Sequence, residues 1–326
     1  MGGSSYDGGA PAASLAGAPA RSAAAAARAE RTAADALRGR VCLVTGANRG
    51  IGRATATGLA RLGATVVMLA RDARLAAAAR DAVAGETGNR SVSVVAADLA
   101  SFASVRAAAA EVRSRHEAVH VLVHNAGVNL ARRAVSADGV ELTLAVNHLA
   151  PFLLTHELLP LLRRGAADGG ARVVTVTSEF ERVGRIAFHN LQGERRYVGL
   201  LAYTQSKLAN ALFTYELAAR LDGTGVTANC VYPGLVATDL MRDRLWWSPR
   251  WLRALWGRVL LTPAEGARAS LYAASAPALA GVTGRCFDDR GRPVRTSRRS
   301  RDVTARARLW RVSEALTGVS ADGAPA

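Results

Sequence analysis

Twelve consecutive residues, positions 41 to 52, read Val41-Cys42-Leu43-Val44-Thr45-Gly46-Ala47-Asn48-Arg49-Gly50-Ile51-Gly52. The apolar run predicts a buried strand, and the G-x-x-x-G-x-G spacing predicts a tight turn that leads directly into a helix. Glycine suits a turn where the backbone approaches a pyrophosphate and where the helix packs closely on the strand. The N-terminus of such a helix offers N–H groups and a positive dipole end to phosphates. These residues therefore predict the first strand–turn–helix unit of a dinucleotide-binding sheet.

The same alternation of strand and helix patterns continues to about residue 290. The strand segments are continuous apolar runs, which is typical of strands covered on both faces. We predict an α/β protein with a single doubly wound Rossmann-type parallel sheet and helices on both faces. The predicted strands are Val41–Thr45, Thr65–Leu69, Ser91–Ala96, Val119–His124, Ala171–Thr177, Val226–Val231 and Arg285–Phe287. The predicted helices are Gly50–Leu62, Asp72–Ala84, Ser101–Arg115, Gly139–Leu162, Leu201–Leu221, Pro263–Ala274 and Val303–Leu316.

The length of 326 residues suits one large domain with tails. We predict a disordered Ala/Gly-rich segment over residues 1–38, a Rossmann-fold domain over 39–290 and an Arg-rich extension with one helix over 291–326. No apolar run reaches the length of about 18 residues that a membrane-spanning helix needs. We expect a cytoplasmic protein, with organelle targeting by the N-terminal segment and peripheral membrane contact as alternatives.

The net charge of +16 raises the class of nucleic-acid-binding proteins. The arginines are scattered, however, and the dense stretch over residues 285–311 has few aromatic side chains between them, so we do not expect nucleic-acid binding. Cys42, Cys230 and Cys286 lack the spacing of metal ligands. We expect buried reduced thiols and no metal site.

The end of the second predicted strand bears on cofactor choice. An acid there would bind a ribose 2′-hydroxyl, but the chain has Ala70-Arg71, and Arg49 lies in the glycine turn. Two guanidinium groups can clamp a 2′-phosphate, so we predict NADP(H) in preference to NAD(H). Asp72 is an acid close to this strand end, so NAD(H) is the alternative cofactor. A solvated ion pair between Arg71 and Asp72, with no role in cofactor binding, is the alternative interpretation of these two residues.

Two further strand ends carry candidate cofactor contacts. Asp98 and Leu99 follow the third predicted strand, where an adenine would lie. Asn125-Ala126-Gly127 follows the fourth, where small residues would let a ribose pass close to the backbone. Without the other motifs, each of these two segments would be interpreted as an ordinary loop.

Lys207 is the only lysine among the 42 basic residues, and it lies four residues after Tyr203. Residues four apart share one face of a helix. A compact ammonium can lower the pKa of a neighbouring phenol, which makes a tunable general acid/base. The alternative is a solvated surface pair.

Taken together, these motifs resemble the short-chain dehydrogenase/reductase superfamily over roughly residues 40–290. Several strings, including residues 146–155, 188–194 and 201–203, are similar to its retinol dehydrogenase-like branch. His124 and Ala150-Pro151-Phe152 are similar to the "member 13" type within that branch. The motifs that carry the superfamily resemblance are the glycine turn, Asn125-Ala126-Gly127-Val128, Asn147, Ser178, Tyr203-x-x-x-Lys207 and Pro233-Gly234.

The resemblance implies four catalytic residues. Tyr203 would exchange a proton with the substrate oxygen, and Lys207 would lower the pKa of the phenol and hold the nicotinamide ribose. Ser178 would bind and orient the substrate oxygen, and Asn147 would hold a water that links Lys207 to solvent. A strand-end cap and a buried helix amide are the plain alternatives for Ser178 and Asn147. The implied cofactor-binding residues are Gly46, Asn48, Arg49, Gly50, Ile51, Gly52, Arg71, Asp98, Leu99, Asn125, Ala126, Gly127, Tyr203, Lys207, Pro233, Gly234, Val236 and Thr238.

The implied function is an NADP(H)-preferring oxidoreductase that interconverts a lipophilic alcohol and its aldehyde or ketone by hydride transfer. Residues 240–261 hold four of the five tryptophans among five arginines, where the superfamily places its substrate flap. A membrane or subunit contact, or neutral packing, is the alternative for this segment. The rival function is a non-catalytic dinucleotide-binding sensor or scaffold on the same fold. Homo-oligomer formation is left open.

Overall fold

The computed structural model describes residues 35–234, 236 and 261–319. Its described strands form one parallel sheet of seven strands in the order β3-β2-β1-β4-β5-β6-β7. The order reverses at β1 and β4, and ligands of open α/β sheets bind in the crevice at such a point. The predicted fold class is confirmed. The strands are β1 (Val41–Thr45), β2 (Thr65–Ala70), β3 (Val92–Ala96), β4 (Val121–His124), β5 (Ala171–Val176), β6 (Val226–Val231) and β7 (Cys286–Phe287).

Helices cover both faces of the sheet. The fourth, α4, is continuous but changes its winding: a short first turn at Leu142–Leu144 leads into a π-helical turn at Ala145–Leu149 and then into regular α-helix over Ala150–Ala167. The others are α1 (Gly50–Arg61), α2 (Ala73–Thr87), α3 (Phe102–Arg115), α5 (Gly199–Arg220), α6 (Pro263–Ser275) and α7 (Val303–Thr317).

Three helices, α2, α3 and α4, start after the predicted residue because a polar side chain caps each of them from outside. The Asp72 carboxylate accepts a hydrogen bond from the Leu75 N–H at 2.9 Å, so Asp72 precedes α2. Ser101 caps α3 in the same way. The start of α4 was predicted at Gly139, but the carboxylate of Glu141 accepts the N–H groups of two following residues at 2.8 and 2.7 Å. Such side chains satisfy N–H groups that have no partner within the helix.

The hydrophobic core has two layers, one on each face of the sheet. Leu43 points into the layer that α3, α4 and α5 cover, whereas Cys42 and Val44 point into the layer that α1, α2 and α6 cover. This alternation follows from the two-residue period of a strand. All three residues are fully buried, as the apolar sequence of β1 predicts.

The three cysteines are free and buried, which agrees with the predicted reduced thiols. Among the described residues, no group of three or more His, Cys, Asp or Glu side chains could hold a metal ion. No helix in this part of the chain is long and apolar enough to cross a membrane.

The two tails are described in part. Leu37, within the predicted N-terminal segment, is buried, and its N–H donates to Leu62 O at 2.8 Å. The helix predicted in the C-terminal extension is α7. The proposed boundaries at residues 38/39 and 290/291 stay predictions. Thr238 and the tryptophan- and arginine-containing segment 240–260 lie outside the described residues.

Candidate active site

In the glycine turn after β1, the backbone packs so closely that the glycine positions leave no room for a side chain. Gly46 and Gly50 have φ values of +65° and +55°, which only glycine adopts readily. A Cβ at Gly52 would overlap Gly46 O and the side-chain amide nitrogen of Asn125. A Cβ at Gly46 would lie 3.0 Å from the Ala126 Cα. The turn therefore packs directly against the loop that follows β4.

Thr45 joins these two strand ends, a role that the sequence did not reveal. Its hydroxyl accepts the N–H groups of Asn125 and Ala126, both at 3.0 Å, and its carbonyl accepts the Asn125 side-chain amide at 2.9 Å. A threonine at the end of a strand carries no signal for such a long-range contact. The predicted cofactor residues of the first and fourth strand ends thus lie together.

At the end of β2, Arg71 and the turn residue Arg49 are both exposed. Asp72 forms no ion pair with Arg71; its carboxylate caps α2 instead. At the end of β3, the Asp98 carboxylate accepts the Ala100 N–H at 3.0 Å, and Leu99 is buried.

Tyr203 and Lys207 lie side by side on α5 and are both buried, with 8% and 4% of their surface exposed. The Lys207 Nζ lies 5.6 Å from the centroid of the Tyr203 ring and donates to Val176 O at 3.2 Å. Burial lowers the pKa of Lys207 to about 8, because a buried ammonium loses its hydration. The pair is therefore not a solvated surface pair.

Thr177, which the sequence did not mark as functional, holds the Tyr203–Lys207 segment of α5 against the sheet. Its hydroxyl donates to Lys207 O at 2.7 Å, which ties α5 to the C-terminal end of β5. Ser178 follows, half-buried, and its hydroxyl accepts the Phe180 N–H at 3.4 Å, so it also has the capping role named as its alternative. The Phe180 ring contacts the Tyr203 ring edge-on at 6.0 Å.

Asn147 occupies the middle of the π-helical turn and is fully buried. Its oxygen accepts the Val128 N–H at 2.7 Å, and its amide nitrogen donates to Val128 O and the Ser206 hydroxyl, both at 2.9 Å. The side chain thus joins α4, the loop after β4 and α5, which is the structural role named as its alternative. A Cβ at Gly127 would lie 3.4 Å from the Asn147 oxygen and 3.7 Å from the Lys207 Nζ.

Val236, which follows β6, and Ile51 of α1 both lie against Gly266 of α6. Val236 is buried and forms an isolated parallel bridge with Leu261. A Cβ at Gly266, in the first turn of α6, would lie 2.5 Å from Val236 Cγ2 and 3.3 Å from Ile51 Cγ1. Gly266 therefore packs closely against both predicted cofactor residues, Val236 and Ile51. No pattern in the sequence marks Gly266 for this role.

The buried carboxylate of Glu181 joins three segments around the proposed site. Glu181 accepts the Tyr232 hydroxyl at 2.7 Å and the Ser297 N–H and hydroxyl at 2.8 and 2.6 Å. It thereby links the loop after Ser178, the end of β6 before Pro233, and the C-terminal extension. Burial raises the pKa of the Tyr232 phenol, so this hydroxyl stays protonated and donates.

Comparisons with known proteins agree with this geometry. The short chain dehydrogenase family matches residues 40–248. Mouse retinol dehydrogenase 11 is 43% identical over 286 residues, which cover 88% of this chain and 89% of that protein. Mouse polyprenol dehydrogenase is 44% identical over 285 residues, which cover 86% of this chain and 84% of that protein.

Solved structures show the same fold. A protein from Mycobacterium paratuberculosis superposes with a TM-score of 0.70 at 36% identity, covering 86% of this chain and 94% of that one. The active-site complex of Pseudomonas aeruginosa RhlG with NADP superposes with a TM-score of 0.65 at 29% identity, covering 78% and 96%. The chain therefore belongs to the short-chain dehydrogenase family and is a retinol dehydrogenase-like oxidoreductase.

Proposed function

We propose that this oxidoreductase uses NADP(H) to interconvert a lipophilic alcohol and its aldehyde or ketone, with Tyr203 as the acid/base. The observation that carries the proposal is the burial of Tyr203 beside Lys207 at the C-terminal edge of the sheet. A phenol next to an ammonium in a water-poor site can exchange a proton near neutral pH.

The residues fit a nicotinamide dinucleotide. The turn at Gly46, Gly50 and Gly52 excludes side chains where a pyrophosphate would approach the N-terminus of α1. Gly127 leaves space in front of Lys207, whose ammonium uses one of its three N–H groups on Val176 O. The remaining N–H groups can donate to ribose hydroxyls. When bound, the cofactor supplies or accepts the hydride at its nicotinamide ring.

The preference for NADP(H) rests on Arg49 and Arg71. Both guanidinium groups are exposed at the strand ends where a ribose 2′-phosphate would lie. Asp72, the acid that could favour a 2′-hydroxyl, is engaged in capping α2. The complex of RhlG with NADP, a structural relative, is consistent with this choice.

Each catalytic residue would then have one task. During reduction the Tyr203 hydroxyl donates its proton to the substrate oxygen as negative charge develops there. Lys207 stabilises the resulting phenolate through its positive charge, and the Ser178 hydroxyl donates a hydrogen bond to the same substrate oxygen. In the oxidative direction the phenolate accepts the proton from the alcohol. Asn147 holds α4 against α5 and the loop that faces Lys207.

Several exposed apolar side chains that are close in sequence to Tyr203 or Ser178 favour a lipophilic substrate. Leu200 lies one helical turn before Tyr203, and 43% of its surface is exposed. The adjacent Leu201 and, after Ser178, Val183 are also exposed. Two relatives are dehydrogenases of retinol and of polyprenol, and both compounds are long apolar alcohols.

The test is a binding and turnover measurement on the purified full chain. NADPH and NADH binding would be followed by tryptophan fluorescence, and turnover would be assayed with all-trans-retinal and with straight-chain aldehydes of increasing length. We expect kcat/KM to rise with chain length and to be higher with NADPH. Binding of NADPH without turnover of any carbonyl in the panel would contradict the proposal and favour a dinucleotide sensor.

A further inference from the structure

The back of the π-helical turn in α4 is held by the C-terminal helix. His148 follows Asn147 in that turn and is fully buried. Its Nε2 lies 2.8 Å from the hydroxyl oxygen of Ser313 in α7. Consecutive residues of a helix point in different directions, so Asn147 reaches toward Val128 and Ser206 while His148 reaches toward α7.

The hydrogen bond between His148 and Ser313 joins two uncharged side chains. The Ser313 hydroxyl also lies within hydrogen-bonding distance of Leu309 O, at 2.9 Å, and when it donates there its oxygen can accept from an Nε2–H of His148. Burial lowers the pKa of His148 to about 4, against the opposing effect of a side-chain hydrogen bond with Asn210, so the imidazole is neutral at physiological pH. The contact is therefore a neutral, fully buried hydrogen bond between two helices.

Helix α7 is anchored firmly enough to act as a support. The Trp310 ring stacks on Phe213 of α5 at 6.0 Å and contacts Phe152 of α4 edge-on at 4.9 Å. The Arg220 guanidinium lies 4.3 Å from the centroid of the same ring. Aromatic contacts of this kind are worth more than their buried area alone. One helix thus packs on the backs of α4 and α5, which together carry three of the four proposed catalytic residues.

A π-helical turn is rare and needs such support. Its widened hydrogen-bonding pattern is less favourable than regular α-helix, and it persists where surrounding contacts hold it. In α4 the Asn147 amide holds the turn on the active-site side. On the opposite side, His148 contacts Ser313 of α7 and the Phe213 ring of α5.

We propose that His148 is a positioning residue, and that its hydrogen bond to Ser313 makes the C-terminal helix part of the active site by holding the turn that presents Asn147. The proposal rests on the proposed function only for its effect on turnover. Its structural claim concerns the rigidity of residues 145–149. It predicts that the chain beyond residue 300 matters for catalysis.

The test compares three variants of the full chain. Ser313→Ala removes the acceptor for His148 and leaves a good helix former in its place. Ser313→Thr keeps the hydroxyl and adds one methyl group. Thr317→Ala is the matched control, because its hydroxyl donates only within α7, to Ser313 O and Glu314 O.

The main readout is amide hydrogen exchange in the cofactor-free protein. Loss of one buried neutral hydrogen bond corresponds to about a fivefold change in a local equilibrium. We expect Ser313→Ala to speed exchange within residues 145–149 by about that factor, Thr317→Ala to affect α7 alone, and Ser313→Thr to match the wild type. Unchanged exchange at 145–149 in Ser313→Ala, or an equal increase in Thr317→Ala, would overturn the proposal.

Turnover then separates this proposal from the proposed function. With an active wild type, Ser313→Ala should lower kcat several-fold with little change in the KM for NADPH, and Ser313→Thr should restore it. A loss of activity that Ser313→Thr does not restore, with normal exchange, would count against positioning. A wild type that turns over no carbonyl would refute the proposed function alone, because the exchange measurement needs no turnover.

Discussion

The ammonium of Lys207 lies 5.6 Å from the centre of the Tyr203 ring, and both side chains are buried against the end of β5. The charge therefore acts on the phenol through a water-poor medium, where electrostatic interactions are stronger than at a surface. This relationship makes Tyr203 the first residue to test.

Tyr203→Phe should abolish measurable turnover while NADPH affinity stays within about twofold, because the phenol exchanges the proton and the ring remains. General acid/base groups typically contribute a factor of about 10² to 10⁴ in rate. The matched control is Tyr215→Phe on the same helix, which loses a hydroxyl bonded to Thr296 at 2.8 Å. It should cost about 1 kcal/mol of stability and little activity. Comparable activity in the two variants would remove Tyr203 as the acid.

Lys207 should titrate far below an ordinary lysine in the cofactor-free protein. Burial lowers the pKa of its ammonium to about 8 from the usual 10.5. Since it is the only lysine, biosynthetic ¹³C-lysine labelling should yield one Cε signal whose shift reports this titration directly. A midpoint near 10.5 would show that the ammonium is solvated.

The same pKa shift affects stability in a defined window of pH. Between pH 8 and 10.5 the unfolded chain keeps the Lys207 proton while the folded chain loses it, so the unfolded state binds more protons. The contribution of Lys207 to the free energy of unfolding therefore rises with pH in this window and is constant below it. Lys207→Met should remove that contribution, which urea unfolding at pH 7.5 and 9.5 would measure as a difference between the two proteins.

Arg71→Asp should shift cofactor preference from NADPH toward NADH by about 10- to 100-fold, since a charge-assisted hydrogen bond to a phosphate is replaced by repulsion. The control is Arg90→Asp, which makes the same charge change at an exposed residue just before the opposite end of β3. The ratio of kcat/KM for the two cofactors is the measurement. An equal ratio in Arg71→Asp and the wild type would contradict the proposal that Arg71 binds the 2′-phosphate.

Gly52→Ala should impair both folding and cofactor binding, because the added methyl group would overlap the backbone of Gly46 and the amide of Asn125. Gly85→Ala provides the contrast: it also lies in a helix, but a Cβ there meets nothing within 4 Å. That change should stabilise the protein by about 0.5–1 kcal/mol. Urea unfolding and NADPH titration of both variants would check this, and equal behaviour of the two would contradict the packing of the turn.

The sequence predicted the sheet, all seven strands and the seven principal helices to within a few residues, because these follow from local patterns. Apolar runs and helical spacing reflect the periods of the backbone itself. The boundaries that were missed, such as those at Asp72 and Glu141, depend on which side chain turns back to cap a helix. Spacing alone does not show that choice.

The features of the proposed site likewise fall into those that the sequence predicted and those that only the folded structure reveals. The glycines and the Tyr203–Lys207 pair could be recognised because these residues occur at short, regular spacings along the chain. The contacts of Thr45 with Asn125 and of His148 with Ser313 join residues about 80 and 165 positions apart, which only packing brings together. Burial, and with it the lowered pKa of Lys207, is likewise a property of the assembled layers, because desolvation depends on everything that surrounds a charge.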